Sequence, residues 1–165
     1  YSMTMDAMKA TDKREDGHRP PLCRTFELST HIPAAPGDVW NTLLALEDWP
    51  AWNNLVPEAA GLVAPGETLT FGIRRETKGL RPHRPQVVSM IPGRQIVLAA
   101  NFSHRRLLRL VHTFTIDEQA PCSCRLHQRW DATGWLVRPL WSSLTETMSR
   151  FAELGEDLAE TLTDA

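Results

Sequence analysis

The sequence is short of most features that mark a specialised class of protein. It has three cysteines, Cys23, Cys122 and Cys124. So small and odd a number argues against a disulfide framework and for a reducing compartment. Cys122 and Cys124 are too closely spaced for a C-x-x-C motif, and no second pair could complete a zinc site, so free thiols and no bound metal are expected. Long apolar runs are missing too. The longest, such as "IVLAA", are strand-sized and far below the ~18 residues of a membrane span. The first residues lack the apolar core of a secretory signal, so a cytoplasmic location is expected. A net charge of −2 gives the chain no nucleic-acid signature. No internal repeat or low-complexity segment occurs.

What is present suits one globular domain. The 165 residues are 42% apolar and 23% charged, enough to bury about 70% of the surface of the unfolded chain. Residues 1–21 mix charges and carry few large apolar groups, so they read as a disordered arm. The domain is expected over 22–165. "CRTFELSTHI" alternates and reads as a strand. In "PAAPGDVWNTLLALEDW", Pro36 suits a first helical position, and Val39, Trp40, Leu43 and Leu44 recur at helical spacing. Trp49 to Pro57 reads as a short irregular or helical link.

From Glu58 to Asp131 the pattern is a run of strands. "EAAGLV" and "ETLTFGI" flank "APG"; "PQVVSMI" and "QIVLAANF" flank "PGR"; "LLRLVHTFTI" and "CRLHQRWDA" flank "DEQAP". The last segment predicts a long helix. Trp141, Leu144, Met148, Phe151, Gly155, Leu158 and Leu162 follow a 3-4 spacing. Ser143 and Glu146 would form a capping box if the helix began there. Gly155 costs about 1 kcal/mol against Ala in a helix, which points to a close approach or to space left for something else. One strand, two short helices, six strands and a long helix make an α+β fold, not a doubly wound sheet.

"LVHTFTI" puts Leu110, His112, Phe114 and Ile116 on one face of a strand. An imidazole among apolar groups is either a proton-transfer group, with an ordinary pKa near 6.5 suited to neutral pH, or a neutral histidine bonded to a buried partner.

These pieces together resemble a known family. "IPAAPGDVW" at 32–40, "WPAWN" at 49–53, "PQVVSMIPGR" at 85–94, "HTF" at 112–114, Gly134 and the amphipathic final helix are similar to the START-like, helix-grip superfamily called SRPBCC, in its polyketide cyclase/dehydratase-like branch. The resemblance covers about residues 24–162. It implies a curved seven-stranded antiparallel sheet around the long C-terminal helix, with two short helices after the first strand. A deep cavity between sheet and helix would bind a hydrophobic or amphiphilic small molecule without a cofactor. Phe71, Leu98, Phe114, Gln128 and Trp130 from the strands, Trp135 from the junction, and Trp141, Met148 and Phe151 from the helix would contact it. His112 would be the catalytic group and Gln128 a neutral anchor. Relatives often carry Glu where this chain has Trp130, and a large aromatic where it has Ala132, so a Glu-based acid/base role has no residue there.

The charge map adds a rim. Nine Lys or Arg and one acid lie between Arg74 and Arg109, against six acids and one Arg between Glu146 and Asp164. In the family topology Arg75, Lys78, Arg81, Arg84, Arg105 and Arg106 would ring one end of the cavity. Such a rim is either a solvated face neutralised by the acidic helix or a site for a carboxylate, a phosphate or an acyl carrier. Two functions follow. The chain is a cofactor-independent cyclase, dehydratase or isomerase of a polyketide-like or other apolar molecule, or it is a non-catalytic carrier or sensor of one.

Overall fold

The computed structural model describes residues 22–77 and 79–164. The arm expected at 1–21, and Lys78 of the rim, lie outside the described residues. Strand β1 (Cys23–Ile32) leads into helix α1 (Pro36–Leu44), a 3-10 turn (Leu46–Asp48) and helix α2 (Trp49–Trp52). Then come β2 (Glu58–Ala60), β3 (Thr70–Arg74), β4 (Leu80–His83), β5 (Gln86–Ile91), β6 (Gln95–Asn101), β7 (Arg109–Ala120) and β8 (Ser123–Thr133). Helices α3 (Val137–Ser149) and α4 (Phe151–Thr163) end the chain.

All the strand pairs are antiparallel. Five strands run in the order β1-β8-β7-β6-β5, and three in the order β2-β3-β4. Backbone bonds stitch the two groups together: Gly66 N–H to Val87 O and Val87 N–H to Glu67 O, both 2.8 Å, and Leu69 N–H to Pro85 O, 2.8 Å. β4 and β5 are thus two halves of one line of chain, broken at Arg84–Pro85. Counted that way the surface has seven strands and is curved, and the α+β helix-grip class holds.

β4 carries no strand signature in the sequence. "LRPH" has no apolar alternation and contains a proline. Pro82 is tolerated because β4 pairs only with β3 and needs no donor on its other side. Pro85 then interrupts the ladder, since it has no N–H to give.

α1 starts at Pro36 with no side-chain cap; the missing proline N–H is one fewer orphan donor. Its buried face, Val39 and Leu43, contributes about 1.5–3 kcal/mol per side chain. The long helix begins at Val137, not at Ser143, so the Ser143–Glu146 capping box does not form its start. α-region dihedrals at Arg150 carry the chain from α3 into α4. Gly155 marks a close approach: a Cβ there would overlap the Thr30 hydroxyl of β1 and lie 3.0 Å from Thr30 Cβ.

Two apolar cores result. The larger joins α1, α2 and α4 to the sheet around Leu43, Trp49, Leu126 and Leu158. The smaller packs α3 on Phe26, Trp130 and Ala132. Phe151 touches both, and between them lies the cavity.

Candidate functional site

The strand period places the site. Along β8, Cys124, Leu126, Gln128, Trp130 and Ala132 are buried, and the residues between them face outward. His112, Phe114 and Ile116 do the same on β7. In register, His112 sits opposite Trp130, and Phe114 opposite Gln128. The imidazole lies 4.2 Å from the Trp130 ring at an interplanar angle of 18°. Phe114 tilts against it at 4.1 Å, and Phe151 meets it edge-on at 5.4 Å.

A hydrogen-bonded chain fixes the protonation of this ring. Gln128 is fully buried. Its Nε2 donates to the Phe151 carbonyl at 3.1 Å. A carbonyl can only accept, so the other end of the amide, Oε1, is an acceptor too. It stands 3.2 Å from His112 Nε2. His112 must therefore carry its proton on Nε2 and leave Nδ1 with a lone pair. Nδ1 makes no hydrogen bond among the described residues, where Trp52 Nε1 is the sole sealed polar side-chain atom without a partner. Nδ1 therefore borders open space, and His112 lines the cavity. Burial pushes the His112 pKa down to about 3; the Gln128 bond opposes that shift and nearby His83 adds to it. The ring is neutral at neutral pH.

The cavity has about 70 Å³ open to the centre of a water molecule. One water needs about 10–15 Å³ on that measure, so several fit. Its lining is mostly apolar, and the polar groups are few: His112, Arg81, His83 and Thr147. No carboxylate is among the described lining residues. Along the same lining an aromatic ladder runs Trp49–Phe71–His83–Phe102, each ring stacked on the next at 5.4, 6.5 and 6.1 Å. Arg81 caps it, 5.8 Å above the Phe102 ring.

A family model described as "Polyketide cyclase / dehydrase and lipid transport" matches residues 24–159. The chain belongs to that family. Norcoclaurine synthase from Thalictrum flavum superposes with a TM-score of 0.69 at 9% identity, over 89% of this chain and 98% of that one. A START superfamily protein from Mycobacterium smegmatis gives 0.61 at 14%, over 85% and 97%. The di-domain ARO/CYC StfQ of the steffimycin biosynthetic pathway gives 0.65 at 16%, over 87% of this chain and 53% of its own length. These likenesses show a shared fold. No curated protein matches the sequence.

Within this family frame, the expected contact residues separate into groups. Phe71, Leu98, His112, Phe114, Trp130, Met148 and Phe151 all line the cavity. Gln128 lies behind His112 and holds it. Trp135 is 62% exposed, and Trp141 lies under the Arg24 guanidinium, 5.4 Å away; neither is on the lining. Arg105 and Arg106 are exposed in the β6–β7 turn. That turn is tied to Gly134: Trp135 N–H bonds Arg106 O and Leu136 N–H bonds Leu107 O. At Gly134, φ is +124°, and a Cβ would overlap the Leu107 carbonyl. The acids of β8 and β1 are used elsewhere. On the outer face Arg129 binds Asp131 and Glu27, and Thr25 donates to Asp131 at 2.7 Å.

Arg81, expected on the cationic rim, lies on the lining itself, and His83 joins it as a cavity residue that the sequence pattern did not single out. Their i, i+2 spacing puts both on one face of β4. The signal was there in "RPH", but only once the segment is a strand.

Proposed function

We propose that this member of the family binds a small, apolar, hydroxyl-bearing molecule of the polyketide type and promotes its cyclisation or dehydration by positioning. The observation that supports this reading is the tautomer of His112. A bare Nδ1 lone pair, fixed by Gln128 and the Phe151 carbonyl, accepts a hydrogen bond from a ligand hydroxyl and sets its orientation. With a pKa near 3 the ring is not an imidazolium at pH 7, so it is no general acid, and it is a weak base. His112 is therefore proposed as an orienting acceptor. No cofactor enters the reading. The carrier or sensor reading is favoured by one observation, the absence of any carboxylate among the described lining residues.

One pair of measurements decides. Calorimetric titration should give 2-naphthol about tenfold tighter binding than 2-methoxynaphthalene, which cannot donate. His112→Phe, which keeps the stack on Trp130, should erase that preference. Equal affinities in the wild type would sink the reading. 3-Hydroxy-3-methylcyclohexanone, which gives 3-methylcyclohex-2-enone with loss of water, separates enzyme from carrier. Faster dehydration than in buffer, lost in His112→Phe, supports the enzyme; binding without acceleration leaves the carrier.

A further inference from the structure

His112 supplies one polar contact to the cavity. The same lining holds a second imidazole that no hydrogen bond explains. His83 stands opposite Phe71 in the β3–β4 register. Its ring is clamped between Phe71, at 6.5 Å and 21°, and Phe102, at 6.1 Å and 15°. Stacking fixes the plane of the ring and leaves its edge, with both nitrogens, free. Among the described residues neither nitrogen has a partner, and neither is sealed from open space. The side chain lines the same cavity as His112.

We propose that His83 is a specificity-determining residue of this cavity, selecting a ring compound that carries a second oxygen. One oxygen, a hydroxyl, meets His112 Nδ1; the other, a hydroxyl or carbonyl, meets the edge of His83. This rests on the binding reading above. Burial and the charge of Arg81 push the His83 pKa down to about 4, so the neutral ring offers one N–H and one lone pair. It can donate to a carbonyl or accept from a hydroxyl, whichever the ligand presents. Arg81, on the same face of β4 and over Phe102, adds a positive charge beside that position. The second oxygen is then preferably one that carries full or partial negative charge, such as an enolate or a carbonyl oxygen. Cyclisation of a polyketide-like chain presents oxygens of that kind along its length.

The test is calorimetric titration of 2,6-dihydroxynaphthalene against 2-naphthol. The symmetric diol gains about twofold from its two equivalent orientations. A hydrogen bond at His83 multiplies that by about five, so the wild type should bind the diol about tenfold tighter. His83→Phe keeps both stacks and removes the nitrogens; the ratio should fall to about twofold, with 2-naphthol affinity unchanged. His83→Gln, which retains a donor and an acceptor, should recover part of the preference. A wild-type ratio of about two, or a tenfold ratio that survives in His83→Phe, would overturn the assignment while leaving the His112 reading intact. Absence of any binding by 2-naphthol to the wild type would remove both.

Discussion

The two histidines of the cavity are held by opposite means. His112 is bonded through Gln128 to the backbone of α4, so its tautomer and orientation are set. His83 is held by ring stacking alone, on a strand that pairs with one neighbour. The first is a polar group fixed into a core; the second is a polar group resting against one. The difference separates what a residue contributes to stability from what it can offer a ligand. His112 has spent one nitrogen on the fold, whereas His83 has kept both.

The largest test of this contrast is pH. Both rings are neutral when folded, with pKa values near 3 and 4, against about 6.5 when unfolded. Between those values the unfolded chain binds more protons, so stability falls as pH falls. At pH 5 each histidine has lost about 1.5 units, or roughly 2 kcal/mol, and together roughly 4 kcal/mol relative to pH 7.5. Denaturant melts at the two pH values should show this loss. His112→Gln or His83→Gln should each shrink it by about half. Below pH 4 only His112 keeps adding to the loss, since its folded pKa is the lower. A pH dependence unchanged in both variants would mean that the buried rings are already protonated or reached by water.

Gln128→Leu breaks the fixed side alone. It leaves the His112 Nε2–H buried without an acceptor, which costs about 1–3 kcal/mol, and removes the donor to the Phe151 carbonyl. A loss of about 3 kcal/mol in urea denaturation is expected. His83→Phe, by contrast, should change stability by less than about 1 kcal/mol, because its ring contacts survive and no partner is orphaned. Equal losses in the two variants would end the contrast between bonded and stacked histidines.

The fixed side is also the side that was legible. Alternation in "LVHTFTI" put His112 on a face with three apolar residues, because a strand buried on one face writes its period into the sequence; the family resemblance put Gln128 and Trp130 inward beside it. What alternation could not give was the pairing. The His112–Gln128 contact is diagonal across β7 and β8, and depends on register that only the folded sheet fixes. The stacked side hid for another reason. In "LRPHRP" the prolines read as loop, and the groups that share a face are Arg81 and His83, not apolar residues. A strand paired on one side and facing a cavity on the other need not carry the hydrophobic signature by which strands are found. The exact start of the final helix is unmarked for a related cause. Its first turn begins at Val137 without a capping side chain, and is set by the Gly134 turn against Leu107.

The cationic rim gives the smallest effect and the last way to sharpen the comparison. Arg105 and Arg106 are exposed and lie off the cavity lining, whereas Arg81 is on it. At 0.15 M salt the screening length is about 8 Å, so exposed charges beyond that distance act weakly on a bound ligand. Reversing both, as Arg105→Glu with Arg106→Glu, should weaken binding of 6-hydroxy-2-naphthoate by about twofold at low salt. At high salt, and for 2-naphthol, it should change nothing. Arg81→Met should weaken the same anion more, and should do so at both salt concentrations, because a charge beside a largely enclosed site is less screened. If the double reversal instead costs tenfold and Arg81→Met costs little, the anionic end of the ligand sits on the rim. His83 would then face the apolar body of the ligand, and the contrast between the two histidines would be one of packing rather than of recognition.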